Sequence, residues 1–425
     1  MRSFWAIALL AFAGVAQAAG LSGTWSGTWT KNGDALPVIV TFRAAGDGLA
    51  GSFDSDALQV AGIPFREISE TGGKVHFTLP GDETTAVFDA TLTANALDGS
   101  FIDGTAKGTF HLKRAAAAQP VAARDVTFES QGARIAGTVL LPASSGRHPA
   151  VVFLHGSGPE GRWANRWLAQ RFAQSGFVAL ISDKRGVGQS TGNWKDVGFD
   201  ALADDAVAAI AFLARQPEVD AKHIGLYGHS QGGTIAPYAA CISGQAAFVI
   251  VSAPGGVEPE EIEEFSVSNA ISIPKLPRRE ADDARSFVHA LVDVAFRDKP
   301  RAELDKLSDR FKGRSWYFEP PPDDYYWAFS RRIADYIPAT YWRRIDTPVL
   351  ILFGGRDERV PARSYETIIA ALHSGGNMRV KLKLYPDADH TFAVPGKSRG
   401  WPKRVPDYAD AVIGWAKKQV PPTSP

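Results

Sequence analysis

One five-residue pattern near the middle of the chain constrains its fold more than any other feature. Gly228-His229-Ser230-Gln231-Gly232 follows an apolar strand, Ile224 to Tyr227, and precedes a run with helical character, Thr234 to Ile242. Glycines on either side of the serine permit a sharp turn between strand and helix, which leaves the hydroxyl exposed at the end of the strand. The pattern therefore predicts that Ser230 is a nucleophile on a tight strand-to-helix turn.

A serine hydroxyl is a weak nucleophile near neutral pH, so it needs a base, and the base needs a partner that fixes its tautomer. With such a turn, the acid follows a late strand and the histidine follows the last strand. Asp357 comes after the apolar run Val349 to Phe353, and His390 comes after Val380 to Tyr385. We expect Ser230, Asp357 and His390 to form a catalytic triad.

Other residues compete for these roles. Glu358 is the nearest substitute for Asp357. Asp389 could orient His390, but neighbouring side chains of an extended loop point apart, so we expect Asp389 to hold the loop. Three further histidines stand near helix ends or strand starts, away from the carboxyl edge of the sheet, and are not expected to act as the base: His223, His289 and His373.

Acyl transfer also needs N–H donors for the developing oxyanion, usually one after the nucleophile and one after an early strand. Gln231 supplies the first. The second is expected in His155-Gly156-Ser157-Gly158-Pro159, which follows an apolar strand. We choose the amide of Ser157, with Gly156 and Gly158 as alternatives, and we expect the histidine of this segment to brace the turn.

Residues 124–425 alternate apolar strands with helices, which is typical of a mostly parallel sheet covered on both faces. We predict eight strands, at Val126 to Phe128, Ile135 to Leu141, Ala150 to Leu154, Val178 to Ser182, Ile224 to Tyr227, Phe248 to Ser252, Val349 to Phe353 and Val380 to Tyr385. About 90 residues between Pro254 and Pro348 exceed what one crossover helix needs, so we expect an inserted cap at residues 256–346. Its many aromatic residues either pack against the body or line a substrate pocket.

The N-terminal part of the chain has a different pattern. Residues 1–18 combine a charged start, an apolar run and an Ala-Gln-Ala end, which predicts a signal peptide and export to the periplasm or beyond. Short alternating segments over residues 19–114 predict a small antiparallel β-barrel or sandwich. Residues 115–123 are rich in alanine and predict a linker.

Charge balance, apolar runs and loop motifs argue against several classes of partner and cofactor. The 46 basic and 46 acidic residues balance, so no broad attraction to nucleic acid is expected. No run after the leader is long and apolar enough for a membrane helix. The only cysteine, Cys241, falls on an apolar helix and is expected to pack in the core. The loop from Asp183 to Ser190 lacks the spacing of a dinucleotide or phosphate loop, so Asp183 and Arg185 are expected to brace it, and no metal or cofactor is predicted.

From about Arg124 onward these features resemble the α/β-hydrolase superfamily. The resemblance rests on His155-Gly156-Ser157-Gly158, Asp183-x-Arg185-Gly186-x-Gly188-x-Ser190, Gly228-His229-Ser230-Gln231-Gly232-Gly233, Gly355-Arg356-Asp357 and Asp389-His390. Within the superfamily the chain looks most similar to exported bacterial carboxylesterases and to acylaminoacyl-peptidase and dienelactone-hydrolase-like branches, although dienelactone hydrolases use cysteine where this chain has Ser230. The resemblance implies an α/β-hydrolase fold with a cap between the sixth and seventh strands of the core. The N-terminal domain resembles lipocalins or the small β domains of other exported hydrolases.

The leading hypothesis is hydrolysis of a small-molecule acyl ester through an acyl-enzyme at Ser230, with no cofactor. Thioesterase, acyl-peptidase or acyltransferase activity would use the same groups. A non-catalytic ligand-binding protein and a scaffold that binds partners through the aromatic cap are hypotheses from other classes. The sequence leaves the acyl-chain preference and the oligomeric state open.

Overall fold

A computed structural model describes residues 20–81, 84–116, 121–322, 324–396 and 400–421. Contacts between Cα atoms divide the described residues into two compact units. One unit contains the described residues among 1–53 and 64–117, and the other contains those among 54–63 and 118–425. The predicted signal peptide lies outside the described residues, as do residues 117–120 of the predicted linker.

The first sheet is antiparallel and has nine strands. They are β1 (Gly23–Lys31), β2 (Asp34–Ala45), β3 (Gly48–Ser55), β4 (Val60–Pro64), β5 (Arg66–Thr71), β6 (Lys74–Pro80), β7 (Thr85–Leu92), β8 (Ala96–Asp103) and β9 (Ala106–Ala115). Their order in the sheet is β4-β3-β2-β1-β9-β8-β7-β6-β5, so the first and last strands along the chain pair near its centre. The predicted antiparallel β domain is confirmed.

Aromatic side chains from distant strands of this sheet meet in one core. The Trp29 ring of β1 lies 5.0 Å from Phe53 of β3 and 4.8 Å from Phe88 of β7, measured between ring centroids. A flat sheet could not bring these strands together, so the sheet is curled like a barrel around its aromatic face. Alternation of buried and exposed residues along β2 and β9 follows from this one-sided burial.

The second sheet has eight strands and is mostly parallel, as predicted. They are β10 (Ala122–Ser130), β11 (Ala133–Leu141), β12 (His148–Leu154), β13 (Val178–Ser182), β14 (Val219–His229), β15 (Val249–Ser252), β16 (Val349–Gly354) and β17 (Val380–Tyr385). The order is β10-β11-β13-β12-β14-β15-β16-β17, and β11 alone runs in the opposite direction, pairing antiparallel with both β10 and β13. Strand β10 begins inside the segment predicted as a linker.

Helices cover both faces of this sheet. They are α1 (Arg166–Gln174), α2 (Phe199–Ala214), α3 (Gln231–Ser243), α4 (Pro259–Ala270), α5 (Arg278–Phe296), α6 (Ala302–Phe311), α7 (Asp324–Ile333), α8 (Pro338–Trp342), α9 (Arg363–Ser374) and α10 (Tyr408–Ala416). Successive residues of β12 point to opposite faces, so Val152 joins the core beneath α2 and α3 while Val151 and Phe153 join the core beneath α1 and α10. The predicted α/β fold is confirmed.

Helices α4 to α8 form the excursion between β15 and β16, the sixth and seventh strands of this sheet. Its aromatic residues divide between the two roles expected of them. Trp316 and Trp327 are buried in the core, whereas Tyr325 and Tyr326 line a cavity. Within the described ranges, no helix combines the length and the apolar character needed to cross a membrane.

Candidate active site

Ser230 lies between the end of β14 and the start of α3 with a backbone φ of 53°, which is unusual for any residue other than glycine. Glycines make the turn possible because other backbone comes very close. A Cβ atom on Gly228 would lie 2.1 Å from the carbonyl oxygen of Gly232, and one on Gly232 would lie 2.8 Å from that of Leu154. The turn therefore projects the Ser230 hydroxyl from the sheet edge, as the glycine pattern indicates.

The structure brings together the three residues predicted as a triad. Nε2 of His390 lies 3.0 Å from Oγ of Ser230, and Nδ1 of His390 lies 2.9 Å from Oδ2 of Asp357. Both His390 and Asp357 are buried. The other carboxylate oxygen of Asp357 accepts the backbone N–H groups of Arg359 and Val360 at 2.8 Å each. Asp357 is thus held in one orientation, with Oδ2 left to receive the Nδ1–H of His390.

The two alternative carboxylates, Glu358 and Asp389, make other contacts. Glu358 is exposed, and its carbonyl oxygen accepts a hydrogen bond from Asn269. Oδ1 of Asp389 accepts the backbone N–H groups of Thr391 at 2.8 Å and Ala393 at 2.9 Å. Asp389 therefore holds the loop that carries His390.

A second histidine, His229, packs against His390. His229 packs with its ring centroid 5.1 Å from that of His390, and its Nδ1 lies 3.2 Å from Oγ of Ser252. Burial, with smaller contributions from the nearby charges of His390 and Arg404, lowers the pKa of His229 to about 3. His229 therefore stays neutral across the physiological range. The Tyr408 hydroxyl donates to Ser252 at 2.7 Å and completes a buried polar network.

The two predicted oxyanion donors line the same cavity as Ser230. Gln231 is the first residue of α3, where backbone N–H groups have no partner within the helix. Among the described residues, the N–H of Ser157 also has no acceptor, whereas the N–H of Gly156 donates to Glu160 at 2.7 Å. This hydrogen bond removes Gly156 as an alternative donor. The side chain of His155 braces the turn, because its Nε2–H donates to the Ser182 carbonyl at 2.6 Å.

Sequence reasoning missed Lys184, which joins both sides of this arrangement. Its ammonium donates to the carbonyl oxygens of Gly156 at 3.0 Å and Gly158 at 3.1 Å, and to Oε1 of Gln231 at 2.7 Å. Burial lowers the pKa of Lys184 to about 8, with the opposing charge of Glu160 offsetting part of the effect. The sequence signal that could have pointed to Lys184 was its place in the loop just after β13, at the carboxyl edge of the sheet where ligands of α/β folds bind.

The glycine-containing loop around Lys184 is braced as predicted. Asp183 accepts three hydrogen bonds from Arg162, the shortest of them 2.8 Å, and burial of Asp183 is outweighed by these bonds, which lower its pKa. Arg185 donates to both carboxylate oxygens of Asp205, at 2.9 and 2.6 Å. These paired charges fix the loop that carries Lys184.

A cavity of about 350 Å³ opens beside Ser230, a size typical of small-molecule sites. The body contributes Phe199 and Thr234, and the cap contributes residues of α4, α5 and α7. Within the cavity, Tyr326 of α7 donates a hydrogen bond to Oε1 of Glu263 on α4 at 2.8 Å. Burial raises the pKa of Glu263, and the hydrogen bond from Tyr326 offsets only part of this effect. This polar pair carries no motif, so its position depends on how the cap folds.

Fold and site together define a class of protein. The chain belongs to the α/β-hydrolase fold family, whose model matches residues 149–396, more than half of the chain. Within the described residues, no three side chains of the types that bind metals converge.

Individual relatives include enzymes named as esterases. Esterase EstD of Thermotoga maritima is 25% identical over 292 residues, which cover 66% of this chain and 62% of that protein. The bifunctional esterase/perhydrolase DCH of Acinetobacter calcoaceticus is 26% identical over 277 residues, covering 57% of this chain and 86% of that protein. The α/β hydrolase GrgF from a Penicillium species has a similar fold, with a TM-score of 0.49 and 17% identity over 70% of this chain and 99% of that one. The match to EstD covers less than two thirds of the length of that protein.

Proposed function

We propose that this protein is a serine hydrolase that cleaves carboxylic esters of small molecules through an acyl-enzyme. The observation that carries the proposal is the hydrogen-bonded line from Asp357 through His390 to Ser230, with 2.9 and 3.0 Å between the bonded atoms, beside a cavity. Similarity to proteins named as esterases supports the same conclusion. No cofactor enters the reaction.

In this mechanism, Nε2 of His390 takes the proton of Ser230 as the hydroxyl oxygen attacks the acyl carbon. The negative charge that develops on the carbonyl oxygen is stabilised by the amides of Gln231 and Ser157. Protonated His390 gives its proton to the alcohol as the ester bond breaks. A water molecule, activated by the same histidine, then releases the acid and restores Ser230.

The test is hydrolysis of p-nitrophenyl acetate and butyrate by the purified chain, with stoichiometric labelling by a fluorophosphonate probe. Ser230→Ala is expected to abolish labelling and to lower kcat by several orders of magnitude. Ser243→Ala, at the far end of α3, is the matched control and should retain both. Wild-type turnover in Ser230→Ala would exclude the proposal. Thioesters and aminoacyl amides of the same acyl group then rank the bond types that the site cleaves.

We also propose that the chain is exported, on the strength of the signal-peptide pattern in residues 1–18. Expression in a Gram-negative host and mass spectrometry of the periplasmic fraction should find a mature chain that begins near Ala19. Retention of the full chain in the cytoplasm would contradict export.

A further inference from the structure

The cap side of the cavity contains a carboxyl group that has no cationic partner among the residues that the structure describes. Glu263 lines the cavity and accepts a hydrogen bond from Tyr326 on one of its oxygens. Among the described lysine, arginine and histidine residues, none forms an ion pair with Glu263, and burial raises its pKa. A partly buried carboxylate is stabilised when a cation approaches, so this position favours a positively charged ligand.

Aromatic side chains surround the same space. Six of them line the cavity: Phe199, Phe296, Tyr325, Tyr326, Phe329 and Tyr336. The faces of aromatic rings attract cations, most strongly ammonium groups that have lost their hydration shell. Carboxylate and rings therefore favour the same class of ligand.

We propose that Glu263, together with Tyr326 and the surrounding rings, binds an ammonium group on the substrate, so that the preferred ester carries a cationic amine. This inference rests on the proposed ester hydrolysis, because Ser230 and Glu263 line one cavity. Arg359 lines the cavity as well, with an exposed side chain. A preference for an anionic acyl group, bound by Arg359, is the competing outcome.

The experiment compares four p-nitrophenyl esters of hexanoic acid that differ only at carbon 6, which carries hydrogen, hydroxyl, carboxylate or trimethylammonium. We expect kcat/KM of the trimethylammonium ester to exceed that of the unsubstituted ester by about tenfold. The ratio should fall most of the way toward one in Glu263→Gln, which keeps the shape of the side chain and removes its charge, because only the weaker attraction of the rings then remains. Glu264→Gln, on the same helix but outside the cavity lining, should keep the wild-type ratio.

Each other result overturns the inference. These results are equal rates for all four esters, equal rates for the hydroxyl and trimethylammonium esters, a preference for the carboxylate ester, and an unchanged ratio in Glu263→Gln. If the wild type cleaves none of the esters, the proposed function fails instead. Calorimetric binding then still tests the subsite, because the wild type should bind (6-hydroxyhexyl)trimethylammonium about tenfold more tightly than its neutral isostere 7,7-dimethyloctan-1-ol. Equal binding of the two ligands contradicts the inference whether or not a variant folds.

Discussion

The ammonium of Lys184 donates a hydrogen bond to the side-chain oxygen of Gln231 at 2.7 Å. The same nitrogen bonds the carbonyl oxygens of Gly156 and Gly158, on either side of Ser157. One buried cation thus links the two segments that carry the proposed oxyanion donors. Because oxyanion stabilisation depends on donors that are already in place, the position of Lys184 should govern turnover more than substrate binding.

Lys184→Met should lower kcat by about tenfold or more, with a much smaller change in KM, because the donors lose their alignment with the transition state. Binding of a boronic acid that mimics the tetrahedral intermediate should weaken in parallel. The control is Lys222→Met, since Lys222 is exposed and lies near the amino end of β14, away from Ser230. A rise in KM with unchanged kcat would show that Lys184 serves substrate binding instead.

Turnover should also decline as the pH rises through about 8. The pKa of Lys184 lies near 8, so the ammonium is charged below that pH and loses its proton above it. The neutral amine has one hydrogen fewer for its three acceptors, and the oxyanion segments should loosen. A kcat profile from pH 6 to 10 should show this alkaline decline in the wild type and lose it in Lys184→Met. The same decline in both proteins would assign it to another group.

Asp357→Asn should lower kcat by about 10³- to 10⁴-fold. The amide oxygen is expected to stay with the backbone N–H groups of Arg359 and Val360, so the NH2 group faces Nδ1 of His390 and favours the wrong tautomer of the ring. Glu358→Gln is the matched control, since its side chain is exposed and the carboxylate of its neighbour contacts the histidine. The measured kcat of ester hydrolysis by the two variants shows which carboxylate, Asp357 or Glu358, orients His390. The assignment is wrong if Glu358→Gln is the more impaired enzyme.

His229 should make the protein sensitive to acid. Its pKa is about 3 in the folded chain and 6.5 as the reference value, so below pH 6.5 the unfolded chain binds a proton that the folded chain excludes. The free energy of unfolding therefore falls as the pH falls from 6.5 toward 3. Between pH 7 and 5, urea unfolding should show about 1 to 2 kcal/mol more loss in the wild type than in His229→Gln. His373→Gln, at an exposed position, should follow the wild type.

Gly228→Ala should destabilise the fold by more than about 3 kcal/mol, because the new Cβ would meet the carbonyl oxygen of Gly232. That oxygen would lie 2.1 Å away, and it is backbone that cannot move without opening the turn. Gly414→Ala is the control, since nothing lies within 4 Å of a Cβ there and the residue is inside α10. It should raise the free energy of unfolding by about 0.5 to 1 kcal/mol. Equal stability of both variants would refute the packing argument for the turn.

Much of this molecule was predictable because its signals are local. The strand-glycine-serine-helix pattern around Ser230 specifies a turn by steric requirements that act over a few residues, and apolar runs such as Val349 to Phe353 mark strands buried on both faces. The order of the strands then placed Asp357 and His390 on loops at one edge of the sheet. The antiparallel domain was predictable in type but not strand by strand, since strands such as β4 and β5 are short and weakly apolar.

From the amino-acid sequence alone one can predict the fold class and the meeting of Ser230, Asp357 and His390 at one edge of the sheet, because each depends on short-range patterns or on the fixed order of strands. The folded chain was needed to reveal that Lys184 links the two segments with the proposed oxyanion donors and that Glu263 contacts Tyr326 inside the cavity. These pairs are separated along the chain by 47 and 63 residues, and no periodic pattern relates them. Their contacts follow from packing of the cap and loops on the sheet, which depends on the whole set of neighbouring side chains.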